Sequence, residues 1–116
     1  MNNNGFTKVC ALNELKNSEG KRFLINDIDV ALFKINKDIF ALNNICPHQH
    51  TALIYDGCIE DGCVICPAHG WKFQLKNGKM PNGRNGLISY PVKLINNFIY
   101  IKAESKNTNC WNLQTK

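Results

Sequence analysis

The pattern of apolar and polar positions along the chain predicts short β-strands separated by turn residues. Short apolar runs recur along the sequence, with asparagine, aspartate, glycine and proline between them. The predicted strands span residues 6–11, 22–25, 30–35, 39–42, 58–60, 63–65, 91–95 and 98–101, with one helical turn at residues 12–17. Strands at this spacing favour an antiparallel β-sandwich or barrel, so the predicted fold class is all-β.

Four turn signals predict β-hairpins. The clearest is Asp61-Gly62, because both positions of a two-residue type I′ turn need a positive φ angle, which glycine and aspartate tolerate. Asn96-Asn97 predicts a closing hairpin near the end of the strand pattern, and residues 36–38 predict another one. Asn77-Gly78 predicts a further hairpin.

Composition places the chain among ordinary globular proteins. With 116 residues, 44% of them hydrophobic and 20% charged, it fits one domain, with a core at about residues 6–103 and a polar tail at residues 104–116. No apolar run approaches the roughly 18 residues that cross a bilayer. The first residues lack the apolar segment of a signal peptide, so we expect a cytoplasmic protein that does not enter a membrane.

The net charge of +5 is unevenly distributed. Residues 62–103 carry +6 and contain no aspartate or glutamate, whereas residues 1–61 carry −2. The basic half could form a docking surface for an acidic partner protein, or its lysines could simply be dispersed and solvated. Nucleic acid is not an expected partner, because no recognised binding motif accompanies the basic residues.

Two of the three histidines lie at short offsets from cysteines. Cys46-Pro47-His48 is followed, after 17 residues, by Cys66-Pro67-Ala68-His69. Each proline restricts the preceding cysteine to extended conformations and stiffens the loop. Gly70 can adopt a φ angle closed to other residues, which lets the chain turn away from a bound group. Cysteines clustered in a reducing compartment more often bind metal than form disulfides.

These residues resemble the Rieske motif, C-x-H followed at a similar distance by C-x-x-H. The flanking segments CPHQHTAL and CPAHGWKF are similar to the two cluster loops of bacterial Rieske ferredoxins, and YPV at Tyr90–Val92 is similar to the segment after their third loop. The resemblance covers about residues 6–103. It implies a Rieske-like antiparallel β-sandwich or barrel with a small cluster-binding subdomain and one 2Fe-2S cluster. By this resemblance Cys46 and Cys66 bind one iron, and His48 and His69 bind the other.

The resemblance implies an electron carrier, a component of an oxidoreductase system that is not an enzyme by itself. Its expected partners are a flavin-dependent reductase and a terminal oxygenase. One alternative is the small subunit of an assimilatory NAD(P)H nitrite reductase, which would bind the large subunit. A second alternative is a structural zinc module, because two cysteines and two histidines also satisfy tetrahedral zinc.

The loop residues also predict a low midpoint potential. Respiratory relatives carry a loop disulfide and a serine that donates a hydrogen bond to sulfide. In this sequence Thr51 and Ala68 occupy the disulfide positions, and Trp71 occupies the serine position. We therefore expect a potential near the low end of the range for Rieske centres, about −150 to about +300 mV.

The remaining candidates receive simpler interpretations. His50 is predicted to be a surface residue, and Cys10 a small buried apolar one. Cys58 and Cys63 would share a face of the predicted hairpin but lie diagonally, so we expect both to remain thiols. Cys110 has no neighbours that would activate it. Trp71 and Phe73 are predicted to be core residues beneath the second loop.

Overall fold

The computed structural model describes residues 5–46, 52–67, 70–83 and 86–103, and within them the chain forms ten strands and two short 3-10 helices. The helices span Leu12–Glu14 and Ile54–Asp56. The strands are β1 Thr7–Ala11, β2 Glu19–Ile25, β3 Ile28–Ile35, β4 Asp38–Asn43, β5 Cys58–Glu60, β6 Cys63–Ile65, β7 Lys72–Gln74, β8 Ser89–Tyr90, β9 Val92–Ile95 and β10 Phe98–Ile101. No helix among the described residues is long and apolar enough to cross a membrane.

The strands form three antiparallel sheets. The first has the order β1-β10-β9, the second β2-β3-β4-β8, and the third, smaller sheet β5-β6-β7. The predicted all-β fold with a small separate subdomain is therefore confirmed.

The second sheet lies between two hydrophobic cores. Strand β3 is buried on both faces because successive side chains point to opposite sides of a sheet. Val30 and Leu32 belong to the core shared with the first sheet, whereas Ala31 and Phe33 belong to the core shared with the third. All four are fully buried. The third sheet is thereby fixed to the rest of the protein through an apolar core.

The two-residue turns follow from residues that tolerate positive φ angles. Asp61 and Gly62 have φ angles of 51° and 76°, and the flanking pair Glu60 and Cys63 is in register, as predicted. Asn96 and Asn97, with φ angles of 51° and 66°, close the β9–β10 hairpin, which also confirms the prediction. A further hairpin turn at residues 26–27 joins β2 to β3 and was not predicted from the sequence.

The hairpin predicted at Asn77-Gly78 is wrong, although the turn itself forms. Gly78 has a φ angle of 77°, and its N–H donates to the carbonyl of Gln74 at 2.7 Å. No strand follows within residues 79–83 or 86–88, and β7 pairs with the preceding strand β6. Pro81 cannot donate a ladder hydrogen bond, and Gly83, with a φ angle of 88°, turns the chain again.

Two other boundaries differ from the prediction. The helical turn predicted for residues 12–17 ends at Glu14, and β2 begins at Glu19, three residues before the predicted start at Arg22. The predicted polar tail, with Cys110, lies outside the described residues.

Candidate metal centre

Cys46 and Cys66 lie in the core between the second and third sheets. Each is 1% exposed, and both belong to the same cluster of buried side chains, which includes Ile54, Val64 and Phe73. Cys46 follows β4 and Cys66 follows β6, so two different sheets supply them. The structure therefore brings together the two cysteines that are far apart in the sequence.

The first loop, residues 45–53, is closed where the chain returns at the second 3-10 helix. The N–H of Ile54 donates to the carbonyl of Asn44 at 3.3 Å, and Ile54 is fully buried. At its start, the N–H of Ile45 donates to Oδ1 of Asn43 at 2.9 Å. The backbone on the amino-terminal side of Cys46 is therefore held by hydrogen bonds.

The second loop, residues 66–70, is closed by its own backbone. The N–H of Cys66 donates to the carbonyl of Trp71 at 2.8 Å, and the N–H of Gly70 donates to the carbonyl of Cys66 at 2.9 Å. Gly70 has a φ angle of 74°, which confirms the predicted need for glycine at this position. Phe73 is fully buried, as predicted, whereas Trp71 is only partly buried and packs against the same core.

A third segment, residues 86–88, packs against the same core. The N–H of Leu87 donates to the carbonyl of Gly78 at 2.8 Å, and the carbonyl of Ile88 accepts from the N–H of Asn43 at 2.8 Å. A Cβ atom on Gly86 would lie 2.6 Å from the Cδ1 atom of Phe73. Glycine is therefore required for this segment to approach the aromatic ring closely.

Tyr90 secures the end of the third segment. Its hydroxyl accepts a hydrogen bond from Nδ2 of Asn43 at 3.0 Å. Partial burial raises the pKa of Tyr90, and the hydrogen bond from Asn43 opposes this effect.

The other predicted ligands, His48 and His69, lie outside the described residues, as do His50, Thr51 and Ala68. Among the described residues, no group of three or more metal-binding side chains is found. The assignment of the two histidines as ligands stays a prediction.

The remaining described cysteines match their simpler interpretations. Cys10 is 7% exposed in the core between the first and second sheets, where burial raises its pKa. Cys58 is exposed and lies opposite Ile65, whereas the buried Cys63 lies opposite Glu60. Cys58 and Cys63 are thus not opposite each other, and both are thiols, as predicted.

Sequence reasoning missed Asn44, the residue that accepts the closing hydrogen bond of the first loop. Asn43 and Asn44 directly follow the apolar residues of β4 and precede Cys46 by three and two positions. The sequence did contain a signal for this role: two asparagines in a row follow an apolar strand and lie just before a predicted ligand.

The donor chemistry of the described residues fits the cysteine half of an iron–sulfur site. Thiolate sulfur is the usual protein ligand of iron–sulfur clusters. A thiolate buried among apolar side chains needs a positive charge beside it, because burial penalises the charged form. Two buried cysteine sulfurs in one apolar core suit a cluster that the protein shields from water.

Comparisons with known proteins agree with this geometry. Residues 5–91 match the model of the Rieske [2Fe-2S] domain family. The ferredoxin component of the alkene monooxygenase system of Xanthobacter autotrophicus is 33% identical over 100 residues, which cover 85% of this chain and 82% of that protein. The ferredoxin subunit of the 3-phenylpropionate/cinnamic acid dioxygenase of Photorhabdus laumondii is 35% identical over 102 residues, covering 84% and 94%.

A solved structure supports the fold. A Mycobacterium tuberculosis chain assigned as the small subunit of an NADH-dependent nitrite reductase superposes with a TM-score of 0.80 at 24% identity. The alignment covers 86% of this chain and 96% of that one. With the family match and the two buried cysteines, these findings show that the chain belongs to the Rieske [2Fe-2S] domain family, whose members bind a Rieske-type 2Fe-2S cluster.

Proposed function

We propose that this protein is a single-electron carrier whose 2Fe-2S cluster is bound by Cys46 and Cys66 on one iron and by His48 and His69 on the other. The observation that carries the proposal is the burial of Cys46 and Cys66, each 1% exposed, in one core at the start of two loops. Each histidine follows its cysteine within the same loop of the sequence. The proposal includes the cytoplasmic location predicted from the sequence.

The ligand set explains the type of chemistry. When bound, such a cluster supplies one reversible electron, and two neutral imidazoles in place of two thiolates leave it with less negative charge, which makes reduction easier. The described residues surround the cysteine end with apolar groups, including Ile54 and Phe73, which keep water from the sulfur atoms. Trp71 packs at the edge of this core. It occupies the position of the serine that donates a hydrogen bond to sulfide in respiratory relatives, so we expect a low midpoint potential.

The partners proposed are a flavin-dependent reductase that supplies the electron and a terminal oxygenase that receives it. Both ferredoxin relatives named above belong to oxygenase systems. Lys76 and Lys79 are exposed on the turn after β7, in the half of the chain that has no acidic residue. They would favour an acidic partner surface, so the rate of electron transfer should fall as ionic strength rises.

The second candidate is the small subunit of a nitrite reductase. The observation that favours it is the TM-score of 0.80 with the Mycobacterium tuberculosis chain. Purification of the tagged protein from its own cells distinguishes the two candidates. A stoichiometric large subunit containing sirohaem would support the nitrite reductase assignment, whereas an oxygenase or a flavin reductase would support the carrier.

The cluster itself is tested by metal and sulfide analysis of the purified protein. Two irons and two acid-labile sulfides per chain, with the electron paramagnetic resonance spectrum of a reduced Rieske centre, are expected. One zinc and no sulfide would overturn the proposal in favour of the zinc module. A redox titration then measures the potential, and a strongly positive midpoint would contradict the predicted low value.

A further inference from the structure

Asn44 is the one polar residue that is buried among the described residues, with an exposure of 0%. It lies two residues before Cys46, at the point where the chain leaves β4 and enters the first loop. A buried amide is costly unless it is hydrogen-bonded, so its partners reveal what its burial achieves.

Asn44 makes hydrogen bonds in two directions. On one side, its backbone N–H donates to the carbonyl of Asp29 at 2.8 Å, and its side-chain Nδ2 donates to Oδ1 of Asp29 at 3.0 Å. On the other side, its carbonyl accepts from the N–H of Ile54 at 3.3 Å, and its side-chain Oδ1 accepts from the N–H of Tyr55 at 2.7 Å. One residue thus joins strand β3 to the 3-10 helix that follows the loop.

These bonds hold both ends of the first loop. The chain enters the loop at Asn44 and returns at Ile54 and Tyr55, and Asn44 binds the returning backbone twice. The loop contains Cys46 and His48 in the sequence. The bond from the N–H of Ile45 to Oδ1 of Asn43 fixes only the start of the loop, whereas the bonds of Asn44 join its start to its returning end.

Asp29 is itself held in place by Arg22. Nε of Arg22 donates to Oδ1 of Asp29 at 2.9 Å, and Nη2 donates to Oδ2 at 2.7 Å. This two-pronged geometry fixes the orientation of the carboxylate. A continuous series of hydrogen bonds therefore runs from β2 through β3 and Asn44 to the backbone of Tyr55.

We propose that Asn44 is a positioning residue for the first loop: through its amide it sets the location of Cys46 relative to the second loop. This inference rests on the proposed function. The bonds of Asn44 join protein groups only, so they would preorganise the loop for cluster binding and slow its opening afterwards.

Two substitutions separate the two directions of bonding. Asn44→Ala removes both side-chain bonds. Asn44→Asp keeps an acceptor for Tyr55 but replaces the donor with a carboxylate oxygen facing Asp29. In the double variant Asp29→Asn with Asn44→Asp, a donor on residue 29 again faces an acceptor on residue 44.

The measurements are the rate of cluster loss from the holoprotein, followed by visible absorbance, and the hydrogen exchange of the Tyr55 amide. We expect both rates to rise about tenfold or more in Asn44→Ala, as the loss of a buried hydrogen bond implies. Asn44→Asp should also lose the cluster faster than wild type, and the double variant should be slower than Asn44→Asp. The Cys66 and Gly70 amides should keep their wild-type exchange.

The controls are Ile99→Ala and Ile99→Val, because Ile99 is fully buried in the other core, away from both loops. If the Asn44 variants lose the cluster no faster than an Ile99 variant with the same denaturation midpoint, Asn44 contributes only general stability and the inference is wrong. Absence of rescue in the double variant would also count against it.

Two further outcomes remain decisive. Should Asn44→Ala fail to fold, Asp29→Ala, which removes the side-chain acceptor of both Asn44 Nδ2 and Arg22 but keeps the bond from the Tyr55 N–H to Asn44, must still accelerate cluster loss. If wild-type protein contains no iron or sulfide, the proposed function fails, while faster exchange at Tyr55 in the Asn44 variants would still support the positioning of the loop.

Discussion

The two loops that begin at Cys46 and Cys66 are closed in different ways. The second loop is short, and its backbone closes it through the Cys66–Trp71 and Gly70–Cys66 hydrogen bonds. The first loop is longer, and the buried side chain of Asn44 joins its returning end to β3. A short loop can thus be specified by local conformation, whereas a longer one needs a side chain that reaches across it.

The largest expected effect comes from substituting the two cysteines. The two loops should respond alike to this change. We expect Cys46→Ser and Cys66→Ser each to abolish cluster assembly, because a serine oxygen is a poor substitute for thiolate. Iron and sulfide analysis checks this result. Cys58→Ser, at an exposed position, is the matched control and should keep a full complement of iron.

Wild-type iron content in the Cys46→Ser protein would defeat the ligand assignment. Loss of iron in only one of the two variants would show that the loops do not contribute equally.

The third segment provides a way to disturb the core that both loops share. In Gly78→Ala the new Cβ would lie 2.0 Å from the carbonyl oxygen of Leu87, at a φ angle of 77°. Steric strain and the left-handed conformation should together lower the free energy of unfolding by roughly 2–5 kcal/mol. Urea denaturation measures the change in the free energy of unfolding. A loss smaller than that caused by Gly70→Ala would show that residues 86–88 move aside at little cost.

Gly70→Ala tests whether the conformation of the second loop matters in its own right. A Cβ on Gly70 would meet no atom of the described residues within 4 Å, and the same holds for Gly62, whose φ angle of 76° is close to the 74° of Gly70. Each alanine variant should therefore lose about 1–2 kcal/mol of stability from backbone strain alone.

The two glycine variants should differ in cluster retention. Gly70→Ala should release the cluster faster than wild type, whereas Gly62→Ala, in the β5–β6 turn, should not. Equal rates of cluster release in the two variants would indicate that the second loop tolerates the change. Its local backbone conformation would then not be what specifies the loop.

The smallest expected effect concerns the support of the first loop by Asp29. Hydrogen bonds from Arg22, followed by that from Asn44, lower the pKa of Asp29 despite the opposing effect of partial burial. Since the unfolded chain binds this proton more readily, Asp29 stabilises the fold at neutral pH, and this stabilisation is lost as the pH falls through its lowered pKa.

Arg22→Gln should therefore lower the free energy of unfolding at neutral pH. The stabilisation by Asp29 that remains should be lost at a higher pH than in the wild type. Denaturation midpoints across the acid range test this expectation. Arg22 is about half exposed, with a side-chain accessibility of 48%, so solvent screening keeps the effect small. Identical pH profiles in the two proteins would show that the pair does not support the loop.

Turn conformation was predictable from the sequence to the extent that it is a local property. Asp61-Gly62 and Asn96-Asn97 adopt the positive φ angles that their residue types allow. Asn77-Gly78 also turns, but whether a strand pairs after a turn depends on the residues that follow and on the surfaces available to them. In that stretch Pro81 has no N–H to donate to a ladder, and the carbonyl of Gly78 accepts from the N–H of Leu87.

The sequence by itself determined the all-β pattern, the main turns and the spacing of the predicted ligands, because these depend on residue type and on neighbours along the chain. Only the tertiary structure decided that Cys46 and Cys66 share one buried core, that Cys10 belongs to another, and that Asn44 connects Asp29 to Tyr55. Such contacts join residues that are far apart along the chain, so they depend on how the sheets pack against each other and not on sequence neighbours.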